Sequence, residues 1–375
     1  MKAPGQERFY FQEVHGRHWR GLILIASIIS VAAIVCVKLL RSGSDRNTSV
    51  SQRTAAILMQ EAISAIQAHC DSVGIPIDIA NDPNRTGIIG SEISPIATTL
   101  GNLEAKRTST NPAFARVIVH LLQQAGVNPG DSIAIGCSAS FPALMIATLA
   151  AAKALSVYPI TILSLGSSSY GATNPDFNLL HIFQVLYQKK IFPIAPRAIS
   201  LGGDRDVGDD FDPAIRSNLI EQIEQSGIEL LYEPNLEKNV ARRMNIYLGP
   251  GGSHRIAAFV NIGGNYANIG TSELVLQLKP GLNRPKVLPA KEERGVLFEM
   301  ASKGIPIIHL LHIKGLAFNY GLPWDPVPLP DLTRRPLGEI IDRQMNFVSI
   351  AAIDLMAISG LTIYGTIKQR QLRRR

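Results

Sequence analysis

The sequence predicts an α/β protein, a Rossmann-like parallel sheet built from βαβ units, held outside a membrane and bracketed by an N-terminal and a C-terminal transmembrane helix. Three observations lead there. Short β-rich apolar runs alternate with amphipathic runs of helical length through the middle of the 375-residue chain, the pattern of parallel strands with helices on both faces of a sheet. Two apolar stretches, Gly21 to Leu40 and Phe347 to Ile367, each have about the ~20 residues that cross a bilayer as a helix. The expected strands end in turns rich in Gly and Ser, on the rim where ligands of open α/β sheets gather.

The first apolar stretch, GLILIASIISVAAIVCVKLL, is uncharged as far as Lys38 and continues into Arg41. It lacks the short core and small-residue site of a cleaved signal peptide and reads as an uncleaved anchor. The second, FVSIAAIDLMAISGLTIYGTI, contains Asp354 and is followed by Lys368, Arg370, Arg373, Arg374 and Arg375. A carboxylate at a span's centre costs ~2.5–3.5 kcal/mol on insertion scales, so Asp354 is expected to meet protein or water there, an intramembrane contact. Basic flanks stay in the cytoplasm, which puts both termini inside. The organisation expected is a cytoplasmic segment 1–20, a span 21–40, a linker 41–52, an extracytoplasmic domain 53–340, a span 347–367 and a basic cytoplasmic tail 368–375. A division of the domain into two lobes would fall near 230–290.

The net charge of +7 follows the same division. Residues 1–40 hold five Lys/Arg against two Asp/Glu, residues 347–375 hold five against one, and the remainder is balanced. The basic excess is thus membrane-flanking, and a nucleic-acid partner, which needs a basic face on the folded domain, is excluded.

Within the domain, Arg53 to Ser72 has helical periodicity and stops before Gly74. Asn111 and Pro112 start a helix that ends near Gly126, by the usual cap and first-turn preferences. Strand and helix then alternate: Ser132 to Cys137, Phe141 to Leu155, Ile160 to Leu165, Phe177 to Ile191 and Arg197 to Leu201. Asp212 and Pro213 open a helix reaching about Ser226, Asn235 to Leu248 is helical, and Ala257 to Ile262 is a strand. After a Pro-rich stretch from Leu278 to Ala290, a helix from Lys291 to Ser302 leads into a strand from Pro306 to His312.

Four strand ends are chemically alike. They run into Ser138 and Ser140, into Ser167 and Ser168, into Gly202 and Gly203, and into Gly263, Gly264 and Asn265. Backbone N–H groups and hydroxyls at such turns suit an anionic oxygen, although turns and caps need Gly and Ser in any case. The polar stretch Ile96 to Pro112 reads as a functional loop; it supplies Thr98, Thr99, Lys106 and Arg107. The ligand-binding candidates are therefore Thr98, Thr99, Lys106, Arg107, Ser138, Ser140, Ser167, Ser168, Gly203 and Asn265.

Gly136-Cys137-Ser138-Ala139-Ser140 stands between a strand and a helix, where G-x-S-x-G hydrolases place their nucleophile, but its last glycine is Ser140. Ser138 is the candidate nucleophile of that alternative, with His309 or His312 as base and no acid well placed. No dinucleotide or P-loop fingerprint is present, and no cofactor is expected. Asp204, Asp206, Asp209, Asp210 and Asp212 lack EF-hand spacing and read as a solvated loop ending in a helix cap. His309 and His312 fall on opposite faces of a strand, so no metal site is assigned. Cys70 and Cys137 could pair in an oxidising exterior.

The segments TTLGNLEAKRTSTNP, GDSIAIGCSASFPAL, SLGSSSYGATNP and YGLPWDPVPLP resemble those of the bacterial poly-gamma-glutamate system protein family, over most of the central domain. The resemblance implies an accessory component of the synthesis or export of the γ-linked glutamate polymer, with that polyanion and membrane subunits of the polymer complex as partners. It supplies no catalytic residues. Besides a binder of anionic carboxylates, two alternatives stand: a hydrolase or transferase acting on a γ-amide or acyl bond through Ser138, and a structural subunit of a membrane assembly.

Overall fold

The computed structural model describes residues 45–330 together with 27, 28, 30, 360 and 364. Residues 48–330 fall within one compact unit. In chain order its elements are α1 (Asp45–Val73), β1 (Ala97–Thr99), α2 (Leu103–Ser109), α3 (Ala113–Ala125), β2 (Ser132–Ser138), α4 (Pro142–Ala154) and β3 (Tyr158–Ser164). They continue with β4 (Ser167–Ser168), β5 (Thr173–Asn174), β6 (Phe177–Asn178), α5 (Leu179–Gln188), β7 (Ala198–Ser200), α6 (Pro213–Gln225), β8 (Glu229–Leu230) and α7 (Leu236–Leu248). The last are β9 (Ile256–Ile262), α8 (Tyr266–Ile269), β10 (Gly281–Asn283), α9 (Val296–Ser302), β11 (Ile307–Leu310) and α10 (Ile313–Tyr320).

Seven strands form the main sheet in the order β10-β11-β9-β2-β3-β7-β8. All neighbouring pairs are parallel except β10 with β11, so the sheet is mixed and mostly parallel. The chain moves outward from β2 through β3, β7 and β8, then returns to lay β9 on the other side of β2. The junction of β2 and β9 is therefore the switch point, and β9, from the 230–290 region, lies inside the common sheet.

Strand alternation divides the core. Ile133, Ile135 and Cys137 of β2 face one cluster with residues of α1, α3, α4, α5, α6 and α10. Ala134 of β2 joins Ile162, Phe259 and residues of α7 and α9 in the other. Burying both faces explains why the central strands read as nearly continuous apolar runs.

Caps fix the helix ends. Gly126 takes a left-handed φ of 90° after α3, Asp212 accepts from Ala214 N before α6, and Asn235 accepts from Lys238 N before α7. The expected helix from Lys291 forms only from Val296, with a 3-10 turn at Lys291–Glu293 before it.

The membrane expectation is corrected. Among the described residues no helix is long and apolar enough to cross a membrane. The longest, α1, has 29 residues but carries Arg53, Glu61 and Asp71 and packs Met59 and Ile66 into the core. The segments 21–40 and 347–367, Asp354 and the basic tail lie outside the described residues, apart from 27, 28, 30, 360 and 364. The bracketed architecture and the assignment of termini and domain to opposite sides of a membrane are withdrawn with it. Cys70 and Cys137 are both free and buried, so no disulfide joins them.

The Asp-rich loop is also different from a solvated one. Asp206 is fully buried and pairs with Arg243 of α7 at 2.6 Å, both side chains at 0% exposure. Arg243 also donates to Ser200 Oγ at 2.8 Å and Asn239 Oδ1 at 2.8 Å. Asp206 further accepts from Ser200 Oγ, Asn239 Nδ2 and Asn265 Nδ2, at 2.7, 3.0 and 2.7 Å. Asp209 pairs with Arg216, Asp210 accepts from Asp204 N, and Asp212 caps α6. Among the described residues no group of His, Cys, Asp and Glu is placed to hold a metal ion.

Breaking a buried pair from one side strands a charge and costs ~3–5 kcal/mol. Arg243→Met should lower the stability of the full chain by about that amount in urea unfolding. Adding Asp206→Asn, which removes the stranded charge at a position Asn tolerates with its φ of 65°, should recover a substantial part.

Candidate functional site

An open cleft of about 960 Å³ lies over the carboxyl ends of β2, β3, β7 and β9, at the switch point. Its floor depends on register. Ser138, Ser164 and Ser200 sit side by side at the ends of β2, β3 and β7. Beyond β3 the chain enters β4, which pairs in parallel with β1, bringing Thr99 opposite Ser168.

The stretch Ile96 to Pro112 is not a structureless loop. It forms β1 and then α2, capped by Asn102, whose Oδ1 accepts from Ala105 N at 2.7 Å. This short helix turns Lys106, Thr108 and Ser109 inward. Lys106 is 2% exposed. Its Nζ lies 2.7 Å from Ser168 Oγ, donates to the Ser140 carbonyl, and stands 4.0 Å from the centre of the Phe141 ring. Ser168 is held in turn by its own N–H, which donates to Ser140 Oγ at 3.0 Å.

Burial of the ammonium, with no carboxylate contribution, lowers Lys106 from the usual lysine range to about 7. Arg107, its neighbour, differs. Its Nε donates to Asp325 Oδ1 at 2.7 Å, Nη2 bonds the other oxygen, and Thr108 Oγ1 accepts from Asp325 N at 2.8 Å. This raises the already high Arg107 value further and ties α2 to the Tyr320–Pro330 segment. Arg107 already holds a carboxylate, that of Asp325, and is not among the residues lining the cleft.

Of the other expected ligand residues, Thr98, Thr99, Ser138, Ser140, Ser168, Gly203 and Asn265 line the cleft with Lys106. Ser167 does not; it is buried and donates to the Ser168 carbonyl at 2.8 Å. Asn265 forms wall rather than a free donor, because its amide donates to Asp206 and to Ser164 Oγ while Oδ1 accepts from Asn268 N.

The rim glycines serve contact between chain segments. A Cβ on Gly166 would lie 2.5 Å from Gly203 N, and one on Gly263, at φ +80°, would strike Ser138 Oγ. Their bareness lets turns interlock, a use different from admitting a ligand.

Ser138 lacks a base. Its hydroxyl is directed at the Ile262 carbonyl, 3.4 Å away, and among the described residues no histidine bonds it. His309 is buried beside its in-register neighbour Asn261, with Nδ1 3.0 Å from the Asn261 amide, and burial pushes it down to about 4. His312 is exposed at the start of α10 and lines the cleft with Lys314 and Trp324. The Lys314 ammonium lies 5.9 Å from the centre of the Trp324 ring and, like Lys106, pairs with no carboxylate among the described residues. Glu104, Asp204 and Asp210 also border the cleft. Neither the Lys106–Ser168 contact nor the Lys314–Trp324 wall has a local sequence signal, since each joins residues from separate elements.

Lys106 predicts a pH dependence of folding. A lysine lowered to about 7 binds fewer protons folded than unfolded between about pH 7 and the unfolded value near ~10.4. Its contribution is most favourable above that value and is lost as the pH falls towards 7. Stability of the unliganded full chain should therefore rise between pH 7 and 10, and Lys106→Met should flatten that slope in urea unfolding. No protein-family model matches the chain, and no curated protein or solved structure matches it either.

Proposed function

We propose that the cleft binds a chain bearing carboxylates, and that the γ-linked glutamate polymer implied by the sequence resemblance is that chain. The observation carrying this reading is that both lysines of the cleft, Lys106 and Lys314, lack a protein carboxylate among the described residues, whereas Arg107 and Arg205 have Asp325 and Asp209. A ligand's carboxylate at the exposed Lys314 gains an ion pair without breaking one. The buried Lys106, lowered to about 7 by burial and surrounded by Ser140, Ser168 and Phe141, suits the polar, uncharged amide link between glutamate units.

Support also comes from the four segments that carry the resemblance. They supply Thr98, Thr99 and Lys106, Ser138, Ser140 and Phe141, Gly166 with Ser168, and Trp324, all on this cleft. Segments far apart in sequence thus meet at one place. On this reading the protein is an accessory component that handles the polymer.

Trp324 provides the readout, as one of only two tryptophans in the chain. Titrating the full chain with γ-linked glutamate oligomers should change its fluorescence, and binding should weaken with added salt. Lys314→Ala should weaken binding about tenfold, or ~1.4 kcal/mol. Equal affinity of this variant and the parent chain, or salt-independent binding, would sink the carboxylate reading.

A further inference from the structure

We propose that Ser168 and Lys106 form a nucleophile and base pair that cleaves or transfers the acyl group of an amide held in the cleft. The substrate, an amide between carboxylate-bearing units, rests on the reading above; the pair itself rests on geometry. Lys106 Nζ stands 2.7 Å from Ser168 Oγ, within reach for direct proton transfer. Both members are oriented by one residue: Ser140 accepts from Nζ through its carbonyl and from Ser168 N–H through its hydroxyl, the latter at 3.0 Å. The Phe141 ring covers the ammonium at 4.0 Å, while Ser168 is half-buried and lines the open cleft. The base is shielded from water and the nucleophile is reachable. A serine paired directly with a lysine is a recurrent variant of the activated nucleophile.

The chemistry closes on groups present. Neutral Lys106 takes the Ser168 hydroxyl proton as Oγ attacks the amide carbonyl carbon. When the C–N bond breaks, the Lys106 ammonium gives that proton to the departing nitrogen, leaving an acyl ester on Ser168. Water then attacks the ester carbon, Lys106 accepts its proton, and that proton returns to Ser168 Oγ as the acid departs. An amine of a second chain in place of water gives transfer. Burial keeps a neutral fraction of Lys106 near pH 7, which supplies the base without an alkaline medium.

The test uses the full chain, a fluorophosphonate serine probe and γ-linked glutamate oligomers of defined length. Mass spectrometry should find the probe on Ser168, and chromatography should show shortened or recombined oligomers. Ser168→Ala should abolish both. Lys106→Met and Lys106→Arg, checked for folding by near-ultraviolet circular dichroism, should each lower kcat/KM about 10²–10⁴-fold, since arginine cannot serve as the base. In the parent chain kcat/KM should rise with pH through about 7. Probe attachment at Ser138, unchanged turnover in Ser168→Ala, or oligomer binding with neither labelling nor turnover would overturn the pair. The last result would leave the binding reading standing. Labelling of Ser168 without oligomer binding would keep the pair and remove the polymer as substrate.

Discussion

The buried pair of Arg243 and Asp206 is the constraint on which the cleft's shape depends. Two charges sealed from water are a poor source of net stability, because desolvation offsets much of their attraction. What the pair supplies is position. Asp206 comes from the turn after β7 and Arg243 from α7; Ser200 ends β7, and Asn265 follows β9. All are bonded to one carboxylate or to the guanidinium that faces it. A shift of any one of these segments leaves a buried polar group unpaired, which is costly in low dielectric. The rim on both sides of the switch point is thereby held as one piece, and Asn265 is spent as structure.

Over that fixed base the turns close against one another through glycines. Gly166 meets Gly202 and Gly203, and Gly263 meets Ser138. With the glycine-bearing turns committed in this way, many of the groups that face the open cleft come from other segments: β1 and α2, β4, and the start of α10. Functional side chains carried by short segments on a rigid scaffold are a common division of labour.

Much of this fold could be read from the sequence because the long elements leave strong local marks. The runs around Ile133, Ile162 and Val260 alternate between two apolar faces; Gly126, Asp212 and Asn235 mark ends through backbone and capping chemistry. The strands β1, β4, β8 and β10, at two or three residues, are too short to show a period, and α2 is a polar LEAKRTS run of two turns. The expected spans were read from hydropathy and basic flanks, in segments that lie outside the described residues apart from 27, 28, 30, 360 and 364. The cleft's location at the strand ends was legible for the same reason as the strands. Lys106 is separated from Ser140 by 34 residues and from Ser168 by 62, so its burial is a tertiary fact that local pattern does not encode. Ser138 was singled out by its place in a strand-to-helix turn, yet β9 takes up its hydroxyl. The Ser140 that spoils the hydrolase motif proves to be the residue orienting the lysine.

The order of Lys106 and Arg107 carries a physical requirement. Adjacent residues on a helix point about 100° apart, so one turns into the cleft floor and the other towards Asp325. A guanidinium stays charged under all ordinary conditions and forms a two-pronged bond with a carboxylate; at position 107 it has that partner. At position 106 there is none, and a permanent charge would remain buried against the Ser140 carbonyl and the Phe141 ring. Lysine can shed its proton there, since burial lowers it to about 7. Exchanging the two would put an unpaired charge on the floor and replace the two-pronged link to Asp325 with a single point charge. The floor thus selects the one cationic side chain able to become neutral, and that property lets the same residue exchange a proton with Ser168.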